Sequence, residues 1–90
     1  MNFEWDERKR RANIEKHGLD FYDVGAVFDS PHVDVPSAYG GKENRYLAIG
    51  LLEGRIVTVV YTNRSEAVRV ISFRRARDEE KQKYQELHGG

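Results

Sequence analysis

The 90-residue chain has no cysteine, only two prolines, one tryptophan and one methionine, and its formal charge is zero. Each shortage closes something off. Without cysteine there is no disulfide and no thiolate zinc site, which fits a reducing cytoplasm. No apolar run approaches the roughly 18–20 residues that span a bilayer. The leading "MNFEWDERKR" is charged from Glu4 onward and has no apolar core, so it does not read as a signal peptide. Zero net charge argues against a nonspecific DNA coater, which should be clearly basic. His17, His32 and His88 lie far apart without metal-ligand spacing. "YGGKEN" lacks the strand-to-helix context of a phosphate loop, and neither a nucleophile elbow nor a catalytic cysteine is present. No metal and no cofactor is expected.

What remains is charge and pattern. A third of the residues are charged, and arginine occurs twice as often as lysine. Arginine's planar fork suits phosphate and carboxylate better than lysine's point charge. One basic cluster runs from Arg8 to Arg11; another gathers Arg64, Arg69, Arg74, Arg75 and Arg77, with the acids of "DEE" just beyond. The length predicts one domain over residues 1–90.

"NFEW" reads as a short edge strand, and the pattern turns helical after Asp6, a good N-cap. Ala12 and Ile14 are the few apolar residues of this first helix. Gly18 suits the left-handed C′ position that ends it. Lys16 and His17 stand in the last turn, where positive charge suits the helix dipole. Asp20 then caps a second helix over Phe21–Phe28, with Leu19 and Val24 placed as a hydrophobic staple. "NIEKHGLDF" therefore has a complete structural reading as stop, turn and restart. That reading needs Gly18 but no histidine before it, so a chemical role for His17 stays open beside it.

Pro31, Pro36 and Gly40–Gly41 break regular structure. "HVDV" is a candidate brief strand, and Ala38–Asn44 reads as an exposed, mobile loop. "RYLAIGLLEGRIVTVVYTN" reads as a β-hairpin turning at Glu53–Gly54, pairing Leu52 with Arg55, Gly50 with Val57, Ala48 with Val59 and Tyr46 with Tyr61. One side carries Tyr46, Ala48, Gly50, Val57, Val59 and Tyr61. The other carries Leu47, Ile49, Leu51, Ile56, Thr58 and Val60, is greasier, and is expected under the two helices. "AVRVISF" makes a further strand, on which Arg69 and Arg74 point to opposite faces unless a bulge intervenes. A C-terminal helix follows from about Arg75, with only Ala76, Tyr84 and Leu87 as an apolar stripe. Helices segregated to one side of a mostly antiparallel sheet make an α+β two-layer domain.

The residues able to carry chemistry are these arginines, the tyrosines and Lys16–His17. Arg69 also has a plain reading as an edge arginine paired with Glu66 or the "DEE" acids. Tyr46 and Tyr61 suit base stacking or ordinary cross-strand packing. Together the set contains the parts for cutting RNA without metal. A base takes the 2′-hydroxyl proton, the oxygen attacks its own phosphate, and arginines stabilise the dianionic transition state.

"FEWDERKRRANIEKHGLDFYDVGAVFDSP", "RYLAIG", "VVYT" and "RVISFRRARDEEKQKY" resemble, in order and spacing, the BrnT family of type II toxin–antitoxin toxins. The resemblance implies a RelE-like fold and a ribonuclease that arrests translation and growth. It also implies a BrnA-type ribbon-helix-helix antitoxin, through which alone the pair would reach operator DNA. Carried over by the resemblance are Lys16 and His17 of "KHG", Tyr61, Arg64, and Arg69, Ser72 and Arg74 of "R-x-x-S-x-R". The expected catalytic set is His17, Tyr61, Arg64, Arg69 and Arg74; the expected RNA contacts are Lys16, Tyr46, Ser72 and Arg75. The alternative is a non-enzymatic module that only binds a partner chain.

Overall fold

The computed structural model describes residues 1–38 and 44–88; the loop expected at Ala38–Asn44 lies mostly outside the described residues. The strands β1 (Asn2–Glu4), β2 (His32–Pro36), β3 (Tyr46–Leu52), β4 (Arg55–Arg64) and β5 (Ala67–Arg75) form one sheet in the order β1-β5-β4-β3-β2. Every pairing is antiparallel except that of β1 with β5. The helices are α1 (Glu7–His17), α2 (Val24–Asp29), which follows a 3₁₀ turn at Phe21–Asp23, and α3 (Asp78–His88).

Local signals act where the sequence places them. The Asp6 carboxylate accepts from the Arg8 N–H at 2.8 Å and starts α1. Gly18 ends it at φ 70°, and its N–H donates to Ile14 O, a conformation that a Cβ would strain. Asp20 caps the 3₁₀ turn through the Tyr22 N–H. Glu53 and Gly54 both take positive φ, which makes the two-residue hairpin turn whose twist matches the strands. The β3–β4 pairs are those the alternation predicts, Tyr46 with Tyr61 through Leu52 with Arg55.

The faces are inverted relative to expectation. The 3₁₀ turn and α2 bury Phe21, Val24 and Val27 against Ala48, Val57, Val59, Tyr61, Val68, Val70 and Phe73. Thus the side with small residues in its middle lies under the N-terminal helices. Those residues are small because the helix comes close: a Cβ on Gly50 would sit 3.0 Å from Val27 Cγ1 and 3.1 Å from His32 Cβ. The opposite side, with Ile49 and Thr58 buried, is covered by α3 through Ala76 and Tyr84. That cover is incomplete, and Leu51 stays 40% exposed. Helices therefore flank both faces of the sheet, and the two-layer arrangement does not hold.

A bulge on β5 resets the outward pattern. Val60 pairs with Ser72 but Tyr61 pairs with Val70, leaving Ile71 as the extra residue. Val70 and Phe73 consequently both face the N-terminal helices. Arg69, opposite Thr62, and Arg74, opposite Thr58, both face the α3 side.

Candidate functional site at the open end of the fifth strand

β1 pairs with β5 only as far as Arg69, so the outer edge of β5 is open from Val70 to Arg75. Asn13 of α1 closes it at one point. Its amide donates to Phe73 O at 2.7 Å and Leu19 O at 2.9 Å, and its oxygen accepts from Phe73 N–H at 3.1 Å. One side chain thus replaces a missing strand partner, and the buried backbone groups of Phe73 are satisfied. His17 lies one helical turn beyond Asn13 on the same face of α1, so the clamp carries His17 to the end of β5.

There a cavity of about 360 Å³ is lined by His17, Gly18, Leu19, Leu52, Glu53, Arg55, Val57 and Arg75. His17 is half-buried. Desolvation lowers its pKa from the ordinary 6.5, and the charges of Lys16 and Arg74 push the same way. A neutral imidazole therefore shares a cleft with the two guanidiniums of Arg55 and Arg75. Lys16 is exposed beside it.

A second cavity, about 430 Å³, opens on the other face between β2, the sheet and the start of α3. Ser72 and Arg74 line it together with Arg45, Arg77 and Lys83. Arg74 holds Glu80 through two hydrogen bonds of 2.7 and 3.0 Å. Glu80 also accepts from Thr58 Oγ1 and the Arg77 N–H. Burial works to raise the Glu80 pKa, but these donors outweigh it and bring the carboxyl down to about 2. Ser72 Oγ also stands 3.4 Å from Asn13 Oδ1, a long contact.

The remaining expected residues go elsewhere. Arg69 pairs with Glu4 of β1 at 2.8 Å, rather than with Glu66 or the "DEE" acids. Arg64 is exposed at the far end of β4, opposite Ala67. Tyr61 is buried and its hydroxyl donates to Asp34 at 2.7 Å. Burial first, then Asp34, raises its pKa well above the ordinary 10. Tyr46 packs on Tyr61 with ring centroids 5.7 Å apart. His32 joins this group: Nε2 lies 3.0 Å from Asp34 and Nδ1 2.8 Å from Ser30 O. The cluster ties β2 to β4 across β3.

Of the nine expected residues, His17 and Arg75 meet at one cavity, with Lys16 exposed next to His17 in the chain, and Ser72 and Arg74 line the other. Sequence reasoning missed Arg55 and Glu53 of the first cavity and Arg45 and Lys83 of the second. The hairpin pairing of Arg55 with Leu52 was legible, but its neighbour His17 arrives from 38 positions earlier in the chain. Among the described residues, no three His, Cys, Asp or Glu side chains come together to hold a metal ion. No helix of the described residues is long and apolar enough to cross a membrane.

A small α+β domain in which an imidazole and two guanidiniums line one cavity holds groups suited to phosphodiester chemistry. Residues 5–80 match the family model described as the ribonuclease toxin, BrnT, of type II toxin–antitoxin systems. The chain belongs to that family, whose members are ribonuclease toxins with an antitoxin partner and RNA targets. No curated protein matches the chain. Family membership favours the enzyme over the bare interaction module.

Proposed function

We propose that this protein cuts RNA at the cavity beside His17, without a metal ion. The carrying observation is the placement of His17, shifted toward its neutral form, beside Arg55 and Arg75. His17 accepts the 2′-hydroxyl proton. The 2′-oxygen bonds to phosphorus, the bond from phosphorus to the 5′-oxygen breaks, and that oxygen leaves with a proton from water. The products are a 2′,3′-cyclic phosphate and a 5′-hydroxyl. Arg55 and Arg75 stabilise the charge on the phosphorane, and Lys16 attracts the substrate's backbone. Arg74 acts on the site by its charge, from the α3 side of the strand.

The cognate partner, on this reading, is a BrnA-type antitoxin with a ribbon-helix-helix domain, and contact with operator DNA runs through it alone. The mostly antiparallel sheet with helices at both chain ends suits a RelE-like ribonuclease. A toxin that arrests translation by cutting mRNA works in the cytoplasm.

The test is product analysis on purified protein in a chelator. Cyclic-phosphate ends should appear at the full rate, and His17→Gln should slow their formation by roughly 10²–10⁴ while leaving the helix stop at Gly18 in place. Full activity in the His17→Gln protein, or dependence on added metal, would overturn the mechanism.

A further inference from the structure

We propose that the cavity under α3 is a second nucleotide subsite, binding a nucleotide that flanks the one cut beside His17. The proposal rests on the ribonuclease reading of the His17 cavity and adds where the rest of the strand goes.

Three observations carry it. The first is charge: Arg45, Arg74, Arg77 and Lys83 face Glu79 and Glu80 around the cavity, an excess of cations in a protein whose total charge is zero. Glu80 is already held by Arg74, Thr58 and the Arg77 N–H, so it offers little to repel an incoming phosphate. The second is an unmet donor. Among the described residues, Arg45 Nε is buried without a hydrogen-bond partner. Such donors are uncommon in folded proteins because leaving one unmade is costly. A phosphate oxygen or a base carbonyl would satisfy it. The third is shape. The floor is apolar, built from Leu47, Val60 and Ile71 on the sheet, and the volume lies in the range of small-ligand sites. A flat apolar floor with a guanidinium rim fits a base and its phosphate together.

The path between the two cavities is short. Arg74 and Arg75 are consecutive at the open end of β5; Arg75 lines the His17 cavity and Arg74 the α3 cavity. Arg74 is near enough for its charge to act on His17. A single strand can cross the edge of β5 there, placing adjoining nucleotides on opposite faces of the sheet.

The experiment uses 2′-O-methyl oligoribonucleotides of mixed sequence, about two and about six nucleotides long, which bind but cannot be cut because the attacking hydroxyl is blocked. Affinity is read by fluorescence anisotropy across a salt series. Lys83 is exposed, so Lys83→Ala should fold normally; Arg45→Ala is tested beside it, with melting curves for both. Each variant should weaken the longer probe by about 5–10-fold, and lower its log–log salt slope by roughly 0.7 per lost phosphate contact. The loss should grow with probe length. Unchanged affinity and slope for the longer probe in Lys83→Ala and in folded Arg45→Ala would overturn the subsite. So would intact RNA binding with lost binding of a poly-glutamate probe, which would make the cavity a seat for an acidic protein segment. A His17→Gln protein that still cuts would instead overturn the reading of the first cavity, whatever the binding data show.

Discussion

At the scale of single residues, protonation is the deciding property. His17 has its pKa lowered by burial and by Lys16 and Arg74. A general base must be deprotonated to act. Activity that depends on His17 should therefore rise with pH to a plateau, with the midpoint of its acid limb below the ordinary 6.5. A pH–rate profile of kcat/KM checks this, and the acid limb should vanish in the His17→Gln protein. Glu80 behaves differently. Its carboxyl sits at about 2 against an ordinary 4.5. A depressed folded-state value means stability that is present above about pH 4.5 and is lost as the pH falls toward 2. The contribution is on the order of 3 kcal/mol. Glu80→Gln should lower stability at pH 7 and flatten its dependence between pH 5 and 2, as followed by urea unfolding. Arg74 is the partner that would be left behind. Because its side chain is only 14% exposed, removing either member strands a charge, and Arg74→Ala should cost about 3–5 kcal/mol. Lost RNA cleavage in that variant must be read against its folded fraction.

Among the elements, α1 is the revealing one. Eleven residues are too few to hold a helix in water alone, and its expected apolar residues do not anchor it: Ala12 is exposed and Ile14 is 36% exposed. The inward face is polar. Arg10 bonds Glu7 and Asp20 and lies over the Tyr22 ring, and Asn13 bonds the open edge of β5. Asn13→Leu keeps the branching at Cγ but leaves the Phe73 N–H and C=O without partners and adds bulk. It should cost about 2–4 kcal/mol, seen as a lower denaturation midpoint at unchanged slope. Cleavage should fall by more than the folded fraction, since the clamp also aims His17. A repulsive or missing partner at this one position thus reaches both stability and chemistry. None of this was legible beforehand, because an asparagine in mid-helix carries no signal of a partner 60 positions away. The caps and the hairpin were legible because they depend on neighbours: Asp6, Gly18, Asp20 and the Glu53–Gly54 turn act within a few residues. The bulge at Ile71 was not, as "AVRVISF" contains no glycine to mark it. That one extra residue decides which way Arg69 and Arg74 point.

Over the whole molecule, the sheet is a partition, and this determines how the arginine cluster can be used. The arginines from Arg64 to Arg77 are neighbours in sequence but not on one surface. In the fold, Arg64 and Arg69 lie toward one end of the sheet, and Arg69 is held by Glu4. Arg74, Arg77 and Arg45 gather under α3 and Arg75 turns to His17. The side of the hairpin with the larger side chains is not the one under the N-terminal helices, because α2 comes so close that little room is left for a Cβ at Gly50. On the proposed reading, an antitoxin that inhibits by blocking RNA covers the end of β5 where both cavities open, and opposite charge would speed its association and mask the site. We expect an acidic or amphipathic antitoxin segment to lie over Arg74, Arg75 and the start of α3. Backbone-amide exchange of the toxin, alone and in complex, reads this directly: protection should concentrate at the Ser72–Arg75 end of β5, the Glu53–Arg55 turn and the first turn of α3. Protection confined to the outer face of α1, where Arg8, Lys9 and Arg11 are exposed, would mean that inhibition works from a distance rather than by occupying the cavities.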